Sequence, residues 1–508
     1  MPLSVVNSIA SWILKKRIHQ IELFMKYPQE VQNEVLFNLI EFAKDTEIGV
    51  RFDFKSIKTY EEFKNRIPIC SYEEIAHLIE RARKGEQDVF WPSSIKWFAK
   101  SSGTTNAKSK FIPVSTQSLE DCHFKSGKDL LSLYFHNNPE SQLFSGKSLR
   151  LGGSKELYKE NGTVFGDLSA ILIDNAPFWA EMSSTPSNKV SLMSDWDQKM
   201  EAIIEETTFE NVTSLAGVPS WMLVLLNKVI EQSGEDHLLE LWKNLEVYFH
   251  GGVSFTPYRD QFNSLIPKSD FNYYEIYNAS EGFFAIQDRN GASDLLLMLD
   301  YGIFYEFIPM DSYGTTNQRV VSLNEVIIGV NYALVITTNA GLWRYQIGDT
   351  VRFTSLNPYR IVVTGRTKHH INVFGEELII ENAEQALKIA CQKTKAQLND
   401  YTAAPIFMEE QKKGAHEWLI EFSRPPKSID RFADVLDNAL KALNSDYEAK
   451  RFNNMTLDPP VVTKARANLF HDWLATKNKL GGQHKIPRLS NTRDYIEELI
   501  ALQKKKED

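Results

Sequence analysis

Ser101-Ser102-Gly103-Thr104-Thr105-Asn106-Ala107-Lys108-Ser109-Lys110 follows a short apolar run, Ile95 to Ala99, that reads as a strand. The segment crowds hydroxyls, a glycine and two lysines into one turn. A loop that wraps a polyphosphate needs such a set. Backbone N–H groups and hydroxyls converge on the oxygens, glycine permits close approach, and lysine supplies charge. The G-x-x-x-x-G-K-[ST] spacing of a Walker loop is absent. A plain polar loop between strands is the other reading of these residues alone, so segments further along the chain decide.

Tyr277-Asn278-Ala279-Ser280-Glu281-Gly282 follows an aromatic strand-like run, Phe271 to Ile276. Gly341-Leu342-Trp343-Arg344-Tyr345-Gln346-Ile347-Gly348-Asp349 places an aspartate just after a glycine turn. Gly365-Arg366-Thr367-Lys368 then precedes Phe374-Gly375-Glu376-Glu377. A hydroxyl-rich loop, a Ser-Glu turn, a Gly-Asp turn and a Gly-Arg hinge, in that order, resemble the adenylate-forming acyl-activating superfamily. The wording is closer still to one branch, the Gretchen Hagen type (auxin-responsive promoter family) acyl acid amido synthetases. Their SSGT[ST], Y-x-x-S-E and Y-R-V-G-D-like elements stand here as Ser101 to Thr105 with Lys110, Tyr277 to Glu281, and Tyr345 to Asp349. The resemblance covers nearly the whole chain, from Thr46-Glu47-Ile48-Gly49 to Gly482-Gln483-His484-Lys485-Ile486-Pro487-Arg488. Two departures stand out: Gln346 replaces the usual arginine of the third element, and Asn106 stands where plant members often have glycine.

The resemblance implies an ATP-dependent ligase that adenylates a carboxylic acid and passes the acyl group to the amine of an amino acid. It implies ATP and Mg²⁺ as cofactors, with a small-molecule acyl acid and an amino acid as partners. An acyl-CoA ligase shares the first step and differs in acceptor; a non-catalytic nucleotide sensor could shed Lys485. Adenylation brings a carboxylate onto a negative phosphate, so cations and N–H donors must be in place beforehand. Ser101, Ser102, Thr104 and Thr105 would hold the β/γ-phosphates, with Lys110 positioning or neutralising that loop. Glu281, beside Ser280, is a hard oxygen ligand suited to Mg²⁺. Asp349 suits the ribose diol, since an ionised carboxylate accepts two bonds. Gly251, Gly252 and Val253 would offer bare backbone to the base, and Tyr277 would stack on adenine or belong to the core. His250 reads as a satisfied structural histidine. Lys485 would swing over the α-phosphate, and Arg366 and Lys368 would hold nucleotide in one state of a hinge.

Bulk properties agree with this reading. The chain has 508 residues, too many for one ordinary core, and 43% hydrophobic content typical of globular proteins. A net charge of −9 argues against a general nucleic-acid or anionic-membrane surface. Cys70, Cys122 and Cys391 form no paired motif and read as reduced thiols. The stretch Val5 to Leu14 precedes its basic residues, the reverse of a signal peptide, and reads as an amphipathic helix. The expectation is a cytoplasmic monomer with neither nucleic-acid nor membrane partner.

Periodicity supplies the architecture: a large layered mixed α/β N-terminal adenylation domain, residues 1–365, and a smaller mobile α+β C-terminal lid, residues 366–508. Helices are expected from Val31 to Phe42 with Gly49 as the stop, and at 117–136, 196–207, 221–232, 381–395, 428–446 and 491–504. Strands are expected at 244–249, 294–299, 302–307 and 416–422, with 332–338 and 342–353 pairing antiparallel. The acyl pocket is expected between the helices near 120–135 and 217–226 and the strands near 301–307 and 343. Trp221, Phe304 and Trp343 would line it or be core, and core is the safer reading.

Overall fold

The structure is a computed structural model that describes residues 17–92, 95–101, 110–152, 157–160, 162–176, 178–193, 196–252, 255, 258–367, 370–376, 378–408, 413–452, 456–476 and 488–504. The run Val5 to Leu14 lies outside them. Sixteen strands precede residue 367 among the described residues. They are β1 (Trp97–Ser101), β2 (Lys110–Val114), β3 (Lys147–Leu151), β4 (Tyr158–Glu160), β5 (Thr163–Gly166), β6 (Ser184–Thr185), β7 (Val212–Gly217) and β8 (Val247–Gly251). The chain continues with β9 (Asn272–Ala279), β10 (Gly282–Ile286), β11 (Leu295–Leu297), β12 (Ile303–Pro309), β13 (Val321–Ser322), β14 (Asn331–Thr338), β15 (Tyr345–Leu356) and β16 (Tyr359–Arg366).

Twelve of these strands form one sheet in the order β13-β12-β14-β15-β16-β11-β10-β9-β8-β7-β3-β6. The half from β9 to β6 is parallel, and the half from β10 to β13 is antiparallel. The β9–β10 hairpin is where one half meets the other. Strands β2-β1-β5-β4 make a separate small sheet. This is the mixed α/β layering expected.

Parallel strands need cover on both faces, and the sequence provides it. On one face Leu149, Leu151 and Leu215 pack into a core with the helix Pro219–Ser233. Pro219 starts that helix where its missing N–H costs nothing, and Gly234 ends it in a left-handed turn at φ 73°. On the other face Val247, Phe249 and Tyr274 pack beneath the helix Lys125–Asn137, which continues from a π-helical stretch, Ser118–Phe124. A third core joins the N-terminal helices to Phe304 and Trp343, so both aromatics are buried packing residues.

Two expectations need correction. Gly49 is not a helix stop: the helix Pro28–Ala43 ends earlier, and Thr46 caps a new one, Glu47–Arg51, that contains Gly49. A Cβ there would lie 2.1 Å from the Ala43 carbonyl oxygen, so close approach demands the glycine. The strand expected to end at Phe249 runs on to Gly251, because β8 pairs with β7 as far as Gly217↔His250 and with β9 as far as Gly251↔Ile276. The strands near 294–299 and 302–307 form as expected and lie apart in the sheet: β11 lies between β10 and β16, while β12 joins β13 and β14.

Beyond residue 367 the chain is α+β. Strands β17 (His370–Ile371) and β18 (Leu378–Ile379) pair first. A sheet of β19 (Gln397–Ile406), β20 (Ala415–Arg424) and β21 (Val461–Ala465) then carries the helices Ile380–Thr394 and Ile429–Leu443. This unit docks on the parallel half of the large sheet. Tyr258 donates to the Val373 carbonyl, Gln261 Nε2 donates to the Met408 carbonyl at 2.7 Å, and Lys450 Nζ lies 3.6 Å above the Trp221 ring. At the same junction His416 and Glu376 form a fully buried pair at 2.7 Å. The cysteines are free, and burial pushes the Cys70 and Cys122 thiols up to about 12, which keeps them un-ionised. Among the described residues no helix is long and apolar enough to cross a membrane.

Candidate active site

In α/β sheets ligands collect beyond the carboxyl ends of parallel strands, at the point where the sheet changes its connection pattern. Here that point is the carboxyl end of β9. Ser280 and Glu281 are the two turn residues between β9 and β10, set by the pairing Ala279↔Gly282. Burial pushes the Glu281 carboxyl from an ordinary 4.5 up to about 7, and the charge of Lys110 opposes that rise. Lys110 opens β2 directly opposite Ser101, the last residue of β1. Its ammonium also lies 5.3 Å from the centre of the Tyr72 ring. The ends of the hydroxyl-rich segment and the Ser-Glu turn are therefore electrostatic neighbours, although Ser101 and Glu281 are far apart in sequence.

Asp349 stands on β15 opposite Arg366 on β16. Arg366 Nε lies 2.8 Å from Asp349 Oδ1, and the Tyr277 hydroxyl donates to Oδ2 at 2.6 Å. Gly348, at φ 94°, accepts from the Thr367 N–H at 2.7 Å, so a backbone bond closes the end of the hairpin. Tyr277 is a buried support for Asp349: its ring packs 4.8 Å from Phe284, so it is not an open platform for adenine. Each Asp349 oxygen keeps spare acceptor capacity beyond these bonds. Gly365 and Arg366 lie within the β15–β16 ladder, with a bulge at Thr364. Any pivot therefore falls after Arg366 and not at Gly365.

Gly251 brings β8 against β9: a Cβ there would meet the Ile276 carbonyl oxygen at 2.5 Å. Gly252 follows at φ 83°. His250 is buried and stacked 4.1 Å from Phe255, and burial, aided by Arg259, lowers its imidazole to about 3. It is neutral at physiological pH, but its Nδ1 has no partner among the described residues, so it is structural without being fully satisfied. Ser102, Thr104, Thr105, Val253, Lys368 and Lys485 lie outside the described residues.

Sequence reasoning missed one element. A cavity of about 410 Å³ lies on the face of β3, β7 and β8 covered by the helix Lys125–Asn137 and the helix Leu168–Asp174. Leu130, Leu172 and Phe249 make it apolar; Ser148, Arg150 and Ser214 supply polarity from the strands. Residues of the helix near 120–135 and Gly217 line this cavity, but residues 301–307 and Trp343 do not, since those strands lie in the antiparallel half. The overlooked signal was an arginine between two leucines in Leu149-Arg150-Leu151.

Known proteins share this fold. The solved structure of the AtGH3.15 acyl acid amido synthetase, with 2,4-DB, superposes with a TM-score of 0.61 at 19% identity, covering 93% of each chain. A 2-hydroxyisobutyryl-CoA ligase with 2-HIB-AMP and CoA gives a TM-score of 0.56 at 12% identity over 95% of this chain and 93% of the other. These likenesses show a fold shared with an acyl acid amido synthetase and an acyl-CoA ligase. Among curated relatives, the 4-substituted benzoates-glutamate ligase GH3.12 of Arabidopsis thaliana is 22% identical over 91% of this chain and 92% of its own. A jasmonoyl-L-amino acid synthetase of Oryza sativa subsp. japonica is 23% identical over 94% and 95%. The GH3 family N-terminal domain matches residues 17–271, its central domain 296–366 and its C-terminal domain 381–494. The chain belongs to the GH3 family.

Proposed function

We propose that this protein uses ATP to adenylate a carboxylic acid held in the 410 Å³ cavity and transfers the acyl group to the amine of an amino acid. The observation that carries the reading is the juxtaposition of Glu281, Lys110, Asp349, Tyr277 and Arg366 at the carboxyl end of the parallel strands. In the first step a carboxylate oxygen attacks the α-phosphorus and pyrophosphate leaves. In the second the amine attacks the acyl carbon, AMP leaves, and the nitrogen gives up a proton. Asp349 orients the ribose, while the backbone at Gly251 and Gly252 lies under the base. Positioning supplies most of the acceleration of the second step, because the adenylate is already activated.

Among the described residues no group of three or more His, Cys, Asp or Glu could hold a metal ion. A single carboxylate, Glu281, fits Mg²⁺ that arrives on ATP, since this ion keeps several waters and few protein ligands. Bound there, Mg²⁺ would neutralise phosphate charge. The hydroxyls of Ser101, Ser102, Thr104 and Thr105 hold the β/γ-phosphates in this reading, Lys485 covers the α-phosphate during adenylation, and Lys368 and Arg366 serve the junction. The C-terminal unit, from about residue 366, would move as a lid between the steps, since one nucleotide pocket must serve two reactions. The reading places the enzyme in the cytoplasm as a monomer; its free cysteines suit a reducing compartment.

Mass spectrometry of products from a mixed library of carboxylic acids and amino acids with Mg·ATP tests this. Acyl–amino acid amides together with AMP are expected. Thioesters formed on added CoA, with no amide, would transfer the assignment to an acyl-CoA ligase. Absence of any acid-dependent AMP would refute adenylation.

A further inference from the structure

The cavity contains a charge that an ordinary hydrophobic acid does not need. Arg150 is the penultimate residue of β3 and lies opposite Ala216 of β7. Its strand neighbours Leu149 and Leu151 belong to the core under the helix Pro219–Ser233, so alternation turns Arg150 to the opposite face, where it lines the cavity with Ser148. Its Nε is buried with no hydrogen-bond partner among the described residues. Among the described residues Glu181 acts on it as a charge of opposite sign without forming an ion pair. Glu181 itself accepts from Asn188 Nδ2 at 2.9 Å. Burial holds the Arg150 guanidinium below its usual range. A buried N–H donor without a partner is costly, and folded proteins satisfy or use such groups.

The position of this charge says what it can read. The reacting carboxylate must meet the nucleotide near Gly251 and Glu281, at the ends of β8 and β9. Arg150 stands on β3, two strand spacings from β8, or about 10 Å. A carboxylate held at the ends of β8 and β9 leaves the β3 side of the cavity to the rest of the acid. We infer that Arg150 recognises a second anionic group at the far end of the acyl acid, so that the substrate class is an acid with a distal carboxylate or equivalent oxyanion. The apolar walls at Leu130, Leu172 and Phe249 take the skeleton between the two charges, and Ser148 and Ser214, paired across β3 and β7, offer hydroxyls beside the guanidinium. A fork of N–H donors matched to two oxygens gives such a site its selectivity. This inference rests on the cavity being the acyl pocket.

The test is pyrophosphate exchange with a panel of straight-chain and aromatic acids, each supplied in two versions that end in a methyl or in a carboxylate. Octanoate and octanedioate are one such pair. In the wild-type protein the carboxylate-ended versions are expected to have the higher kcat/KM. Arg150→Gln should lower the ratio of carboxylate-ended to methyl-ended turnover about ten- to hundredfold, the range for a lost charge-assisted hydrogen bond. Arg150→Lys should restore part of that ratio. A ratio unchanged by Arg150→Gln, an equal loss on both versions, or a wild-type preference for methyl-ended acids would each overturn the inference while leaving adenylation intact. Failure of every acid to support exchange would instead refute the ligase reading, and this inference with it.

Discussion

Replacing Glu281 by glutamine sets stability against activity at one atom. The folded protein raises this carboxyl from 4.5 to about 7, chiefly by burial. Between those two values the folded state holds a proton that the unfolded chain has lost, so stability falls as pH rises through this window. Below pH 4.5 both states are protonated and the penalty is absent. Above pH 7 it is complete, and at about 1.36 kcal/mol per pH unit it amounts to roughly 3 kcal/mol. Glutamine resembles the protonated acid and carries no such penalty. Glu281→Gln should therefore match the wild type in stability near pH 4, gain across the window, and be up to roughly 3 kcal/mol more stable near pH 8. Urea unfolding at a series of pH values measures this, and pyrophosphate exchange on the same samples should show adenylation suppressed. A glutamine variant that is less stable at pH 8, or whose gain is the same at every pH, would refute the burial argument. One that adenylates at the wild-type rate would remove Glu281 from the reaction.

Lys110→Met removes the charge that opposes the rise of Glu281, so the acid limb of the pH–rate profile should move to higher pH; a limb that stays in place would uncouple the two residues. Asp349→Asn keeps the shape of the Tyr277–Asp349–Arg366 cluster but loses its charge. ATP affinity should fall, and the preference for ATP over 2′-deoxy-ATP should shrink relative to the wild type; equal discrimination would show that Asp349 does not read the ribose. Lys450→Met keeps the stem and loses the cation above Trp221. If the C-terminal unit moves between steps, the two half-reactions in stopped flow should change unequally; a common factor on both would count against a lid held by this contact.

Glu281 and Asp349 could be singled out in the sequence as candidates because short turns carry their own chemistry: a Ser-Glu pair between two strand-like runs and a Gly-Asp pair beside another. The helix 196–207 was legible from its period alone. Tyr277 and Gly365 were not. Whether an aromatic faces a ligand or supports an aspartate depends on residue 349, far along the chain, and whether a glycine is a hinge or a ladder residue depends on its pairing with Thr350. Arg150 carried only a faint local signal, its place between two leucines, and which face of β3 it takes depends on the packing of the whole sheet.

The sequence by itself determined the class of chemistry, the order of the motifs and the alternation of strands and helices, since these depend on residue types a few positions apart. Only the tertiary structure decided which motifs meet, where the parallel half of the sheet gives way to the antiparallel half, and which face of β3 lines the cavity. The physical reason is that burial is a property of the whole packed chain. Removal from water is what lifts Glu281 to about 7 and leaves the Arg150 Nε without a hydrogen-bond partner among the described residues, and no window of neighbouring residues contains it.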